Sequence, residues 1–144
     1  MIKTTLISFV LFGATNVYCL AQCNPTEFVD ECKAHLNEDR FLLVKEFPIV
    51  TKNGEYVEHS FTLTDIADYE YYFTGDAWDH QTMVASIFGP DRKKLASNRT
   101  DSEVLHSIKF HPPKAGIYYI RFTFEAGASF CGMSVLGFHR HTKS

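Results

Sequence analysis

Ile117-Tyr118-Tyr119-Ile120-Arg121-Phe122-Thr123-Phe124-Glu125 carries its large apolar side chains at every second position. Tyr118, Ile120, Phe122 and Phe124 therefore share one face of an extended strand, with Tyr119, Arg121 and Thr123 on the other. A strand face that is aromatic along its whole length needs a second layer to cover it. Two packed antiparallel sheets supply that layer most simply, which predicts a mainly β chain folded as a two-sheet, jelly-roll-like β-sandwich.

Working outward, from residue 41 onward short β-rich runs alternate with turn residues at the spacing of an all-β domain. Strands are expected over 41–50, 56–63, 69–74, 83–88, 104–110, 117–125 and 131–139, with 94–96 as a short eighth. Lys52-Asn53-Gly54 reads as a hairpin turn, Gly89-Pro90-Asp91 as a tight corner, and Pro112-Pro113-Lys114-Ala115-Gly116 as another. Ahead of the strands, Asn24-Pro25-Thr26-Glu27 has the form of a helix start, with Asn as cap, Pro at the first position and Glu at the third. Phe28, Cys32 and Leu36 then recur at four-residue steps, giving one short N-terminal helix an apolar face that includes Cys32.

The chain of 144 residues, 45% hydrophobic and 22% charged, has the size and mix of one globular domain. Its formal net charge of −3 argues against a nucleic-acid partner, which would require a concentrated Lys/Arg field. Lys3 followed by the apolar stretch 6–14 reads as a signal peptide ending at Ala21, too short to be a transmembrane helix. The expected organisation is thus a leader over 1–21 and a single sandwich domain over 22–144, secreted, periplasmic or held at the cell surface.

Removing the leader takes Cys19 with it and leaves Cys23, Cys32 and Cys131, an odd number that needs an explanation. A disulfide between Cys32 and Cys131 would staple the helix to the last strand and suits an oxidising exterior. Cys23 would then make an intermolecular disulfide, stay free, or become a lipid anchor, with Leu20-Ala21-Gln22-Cys23 as a lipobox.

Two further runs bear on family. The stretch from Ala85-Ser86-Ile87-Phe88-Gly89-Pro90 to Lys94-Leu95-Ala96-Ser97-Asn98, followed by Ala115-Gly116-Ile117-Tyr118-Tyr119-Ile120-Arg121, resembles bacterial pre-peptidase C-terminal domains and, more loosely, GOLD-type sandwiches. The aromatic strand Tyr69-Glu70-Tyr71-Tyr72-Phe73 precedes both runs, as in modules of this kind. The resemblance implies a non-catalytic accessory module of exported proteins, in some cases linked to calcium.

The richest polar loop holds Asp76, Trp78 and Asp79. Asp76 and Asp79 are candidate oxygen ligands for calcium, and Trp78 is a candidate platform for a sugar ring. An ordinary acidic connection with Trp78 folded onto the core is the preferred reading, since most acidic loops are only solvated. Seven histidines invite zinc, but no compact four-ligand spacing accompanies them, so no metal centre is predicted. No G-x-S-x-G elbow, H-E-x-x-H helix or phosphate-binding glycine loop is present. The expectation is therefore an exported, non-catalytic binding or accessory module for a protein, glycan or cell-envelope partner. The alternative is a small exported hydrolase with a His/Asp site on the sandwich loops. An open aromatic surface would favour the first, and a deep pocket holding a hydrogen-bonded His–carboxylate pair the second. Asn98-Arg99-Thr100 is a glycosylation sequon, relevant in a eukaryotic host.

Overall fold

The computed structural model describes residues 22–52, 54–76, 83–124 and 129–140, so the expected leader over 1–21 lies outside the described residues. A short 3-10 helix, Pro25–Phe28, leads into α1 (Val29–Glu38). Eight strands follow: β1 (Leu42–Thr51), β2 (Val57–Leu63), β3 (Ala67–Gly75), β4 (Met83–Phe88), β5 (Lys94–Ser97), β6 (Ser107–Phe110), β7 (Gly116–Phe124) and β8 (Phe130–Arg140). They form two four-stranded sheets, sheet A in the order β1-β8-β3-β6 and sheet B in the order β2-β7-β4-β5. Every pairing is antiparallel, and this interleaved order is the jelly-roll arrangement of two Greek keys.

The sheets bury their facing sides against each other. Tyr118, Ile120 and Phe122 of β7 are fully enclosed, as their alternation predicts, and Tyr119 and Arg121 lie on the other side. Rings from the two sheets meet edge to face, with centroids of Phe61 and Tyr71 5.0 Å apart and those of Phe73 and Phe122 5.7 Å apart. The Tyr118 hydroxyl leaves the core and donates to the Lys114 carbonyl oxygen at 2.6 Å, anchoring the turn into β7.

α1 lies on the outer side of sheet A, where Cys32 and Leu36 pack with Tyr72, Met133 and Val135. Consequently β3 and β8 are buried on both faces, and their near-continuous apolar sequence reflects two covers rather than one. Gly137 of β8 permits the close approach of the helix, because a Cβ there would stand 2.8 Å from a Leu36 methyl and 2.9 Å from Phe41 Cβ.

Four local expectations are corrected. Lys52-Asn53-Gly54 is no hairpin: β1 belongs to sheet A and β2 to sheet B, so the connection crosses between layers, with Gly54 at φ 71°. Asn24 does not cap the helix with its side chain; its Oδ1 accepts from Thr26 Oγ1 at 2.6 Å, and the first turn is 3-10 before α1 begins. The sixth strand starts at Ser107 rather than 104, because the Leu105 N–H and Val104 turn toward Asn98 and Arg99 instead of sheet A.

The fourth correction is the disulfide. Cys131 pairs with Cys23, with Cα atoms 5.6 Å apart, and Cys32 is a buried free thiol. Cys32 does face β8, but its Sγ rests 3.8 Å from the Met133 carbonyl oxygen, two residues beyond Cys131. Cys23, just ahead of the 3-10 helix, is the one delivered to the start of β8. With its sulfur engaged within the chain, Cys23 is neither a lipid anchor nor an intermolecular link in this structure. Burial, with help from Glu31 and Glu46, pushes the Cys32 thiol up to about 12, so it remains protonated and unreactive.

Candidate functional site

Among the described residues no helix lies over the outer face of sheet B. Cross-strand register places Glu58, Arg121 and Ser86 in one row and Ser60, Tyr119 and Phe88 in the next. Glu58 organises this surface. Its Oε1 accepts from Arg92 at 2.8 Å, and its Oε2 accepts from Arg121 Nε at 2.9 Å and from the same guanidinium's second nitrogen at 2.8 Å. Held this way, Arg92 lies 3.6 Å over the centre of the Tyr119 ring, and Arg121 lies between Tyr56 and Phe88 at 4.9 and 5.0 Å. Burial raises the Glu58 carboxyl, but the two guanidinium groups outweigh it and leave the group below its ordinary range.

Arg92 reaches this position from the turn between β4 and β5, where its backbone is left-handed at φ 65°. The Asp91 side chain accepts from the Lys93 N–H at 3.0 Å and the Arg92 N–H donates to the Gly89 carbonyl at 2.9 Å, so the turn itself holds that conformation. Tyr56, Leu95 and Ile117 surround the cluster with exposed apolar surface. The result is a sheet face of two arginines stacked on aromatic rings and joined through one carboxylate.

The outer face of sheet A carries a second polar group, under α1. Glu70 points from β3 toward the helix and its side chain is completely enclosed. Its Oε1 is 2.9 Å from His35 Nε2, and the same nitrogen is 3.3 Å from Asp39 Oδ2. Where the shared proton sits decides which partner donates. Asp39 also receives Lys109 Nζ at 2.8 Å. The His35 ring stacks on Tyr72, with centroids 3.9 Å apart, and the Tyr72 hydroxyl donates to Glu31 Oε1 at 3.1 Å. Burial lifts the Glu70 carboxyl above its ordinary range, and the adjoining Asp39 carboxylate adds to the rise against the pull of His35. Lys109 holds Asp39 below its own range.

The residues singled out from sequence fare differently. Asp76 Oδ1 accepts from the Cys131 N–H at 3.0 Å while the Asp76 N–H donates to the Cys131 carbonyl at 2.9 Å, so this carboxylate closes the end of the β3–β8 pair beside the disulfide. Trp78 and Asp79 lie outside the described residues, and with them the calcium or sugar site they would build. The sequon is spent on the fold: Asn98 is fully buried, its Oδ1 accepting from the Ala85 N–H at 2.8 Å and its Nδ2 donating to the Leu105 carbonyl at 3.2 Å. A side chain so engaged offers no amide for a glycan.

Sequence reasoning missed Glu58, Glu70 and Asp39. Glu70 alone left a signal, as a charge inside the aromatic run 69–73, in a strand too apolar to have a wet face. Of two clefts of about 490 and 460 Å³, one runs along 50–57 and adjoins the sheet B cluster at Tyr56, and the other is lined by Val44, Ile66, Tyr69 and Phe138. Neither is lined by a histidine.

Among known proteins, no family model matches the chain, and no curated protein does. A solved structure does share the fold: the PliG protein of Aeromonas hydrophila, described as a periplasmic lysozyme inhibitor of g-type lysozyme. The match has a TM-score of 0.53 at 10% identity and covers 66% of this chain and 85% of that one.

Proposed function

We propose that the chain is an exported, non-catalytic module that binds a protein through the open face of sheet B. The observation that carries this reading is the Glu58-centred mosaic, in which Arg92 and Arg121 are already fixed against Tyr119, Tyr56 and Phe88. Arginine and tyrosine dominate the energetic centres of protein interfaces, and side chains ordered beforehand lose little entropy on binding. Export is supported by the leader-like segment 1–21 and by a disulfide, which persists in oxidising compartments. A protein rather than a glycan as partner is supported by PliG, whose described target is a lysozyme. The finer reading, an accessory module of the pre-peptidase C-terminal type, rests on the two sequence runs quoted above.

The hydrolase alternative draws less support. Among the described residues the histidine–carboxylate contacts are those of His35 with Glu70 and Asp39, beneath a helix, and His111–Asp68, at the surface, rather than in either cleft.

The experiment is a binding screen of the immobilised mature chain against purified g-type lysozyme and a glycan array, run in parallel with an Arg121→Ser/Tyr119→Ser double variant. The expected outcome is saturable binding to protein that the double variant loses while keeping its circular dichroism and melting profile. Saturable glycan binding, or protein binding unchanged in the double variant, would remove the proposal.

A further inference from the structure

We infer that His35, Asp39 and Glu70 form a zinc site beneath α1, with three protein ligands and water as the fourth. One ligand atom from each of the three residues lies within 4.8 Å of the other two. His35 lies in the last turn of α1 and Asp39 is the residue that caps its C-terminus, 3.3 Å away, while Glu70 meets His35 from β3. The contacts already approach coordination spacing. Ligands of a tetrahedral zinc at ~2.0–2.1 Å stand about 3.3 Å from one another, and His35 Nε2 is 2.9 and 3.3 Å from the two carboxylate oxygens.

A second, independent observation points to a missing partner. The Glu70 side chain is fully buried, yet among the described residues its Oε2 has no hydrogen-bond partner. A buried carboxylate with one oxygen left without a donor is costly, and a divalent cation taken at Oε1 lowers that cost by neutralising the charge that both oxygens share. The ligands are also held in place: His35 by stacking on Tyr72, and Tyr72 by its hydrogen bond to Glu31. The mouth of the group is open, because His35 and Asp39 retain 30% and 28% of their side-chain exposure while Glu70 retains none. An ion can therefore enter from solvent and seat on the buried carboxylate.

Lys109 supplies a positive charge to Asp39 from the rim, and as a half-exposed side chain it can swing away when a metal takes over that role. The donor set selects the ion. One imidazole with two carboxylates suits zinc, whereas calcium needs six to eight oxygen ligands.

The test is zinc titration of the full mature chain against a chromophoric chelator, comparing wild type with His35→Ala, Glu70→Gln and Lys109→Met. His139→Ala serves as a control for surface imidazole. One zinc per chain is expected, weakened more than tenfold by His35→Ala and by Glu70→Gln, unchanged by His139→Ala, and tightened by Lys109→Met. Zinc affinity that survives His35→Ala, or absence of stoichiometric uptake by the wild type, overturns the site. Should a variant fail to fold, cobalt loaded into the wild type decides: intense visible bands of a four-coordinate ion support the site, and the weak bands of a hydrated six-coordinate ion refute it.

Discussion

Glu58 and Glu70 stand on the outer faces of the two sheets and are neutralised in opposite ways. Glu58 is met by two guanidinium groups on an open surface, and those groups in turn lie on aromatic rings. Glu70 is sealed beneath a helix, where one imidazole reaches it and one of its oxygens goes unmatched. The contrast separates presentation from closure. On sheet B a carboxylate is used to hold cations outward, toward a partner. On sheet A the cover itself encloses a carboxylate and leaves its histidine and aspartate partners at the rim.

The largest test of that contrast is to loosen the cover. Cys23–Cys131 ties the segment before the helix to β8 across 108 residues, and on the chain-entropy model its loss costs about 4.7 kcal/mol. Cys23→Ala should therefore lower the urea midpoint sharply, whereas Cys32→Ala should cost only ~1 kcal/mol as a small cavity. Equal effects would mean that the helix is anchored by packing alone. Next in size, Leu36→Ala removes a fully buried side chain from the covered face and should cost about 2–5 kcal/mol, while Ile117→Ala on the open face should stay within about 0.5 kcal/mol. Chemical denaturation of the pair would show whether the two faces differ as described.

Smaller still in stability is Arg121→Ala, expected to cost less than about 1 kcal/mol because its ion pair is partly exposed. Its effect should appear in partner affinity instead. The smallest effect is in acid. Glu58 has a folded-state affinity for protons below its ordinary value of 4.5, so its contribution is present above that pH and fades as pH falls through the lower, folded value. Glu58→Gln should flatten that part of an acid-unfolding curve while leaving stability at neutral pH nearly unchanged in its pH slope.

Strand β7 was legible because one of its faces is wet, so burial wrote a two-residue period into Tyr118, Ile120 and Phe122. β3 and β8 were legible only as strands. Covered on both sides, they show no period, and nothing in their sequence says which face meets a helix. That ambiguity also hid the disulfide: Cys23 and Cys32 both precede the sandwich, and choosing between them requires knowing where along β8 the helix comes to rest. The site was less legible than the fold. Glu58, Arg92 and Arg121 are separated by 34 and 29 positions respectively, read in order along the chain, and only the register of β2 on β7 and the turn at Gly89 bring them together. The buried role of Asn98 was hidden for a similar reason, since its partners Ala85 and Leu105 belong to different segments.

The position of β8 sets a constraint on biogenesis. In sheet A, β8 is the one partner of β1 among the described residues, and β3 lies between β8 and β6. As the chain emerges from the ribosome, the first strand must wait for the eighth, and most contacts of sheet A form only after nearly all of it has been made. During that interval Cys23 and Cys32 are nine residues apart and Cys131 is still absent. The first disulfide within reach is therefore the wrong one, and a thiol–disulfide isomerase should accelerate recovery of the native pair after reductive unfolding.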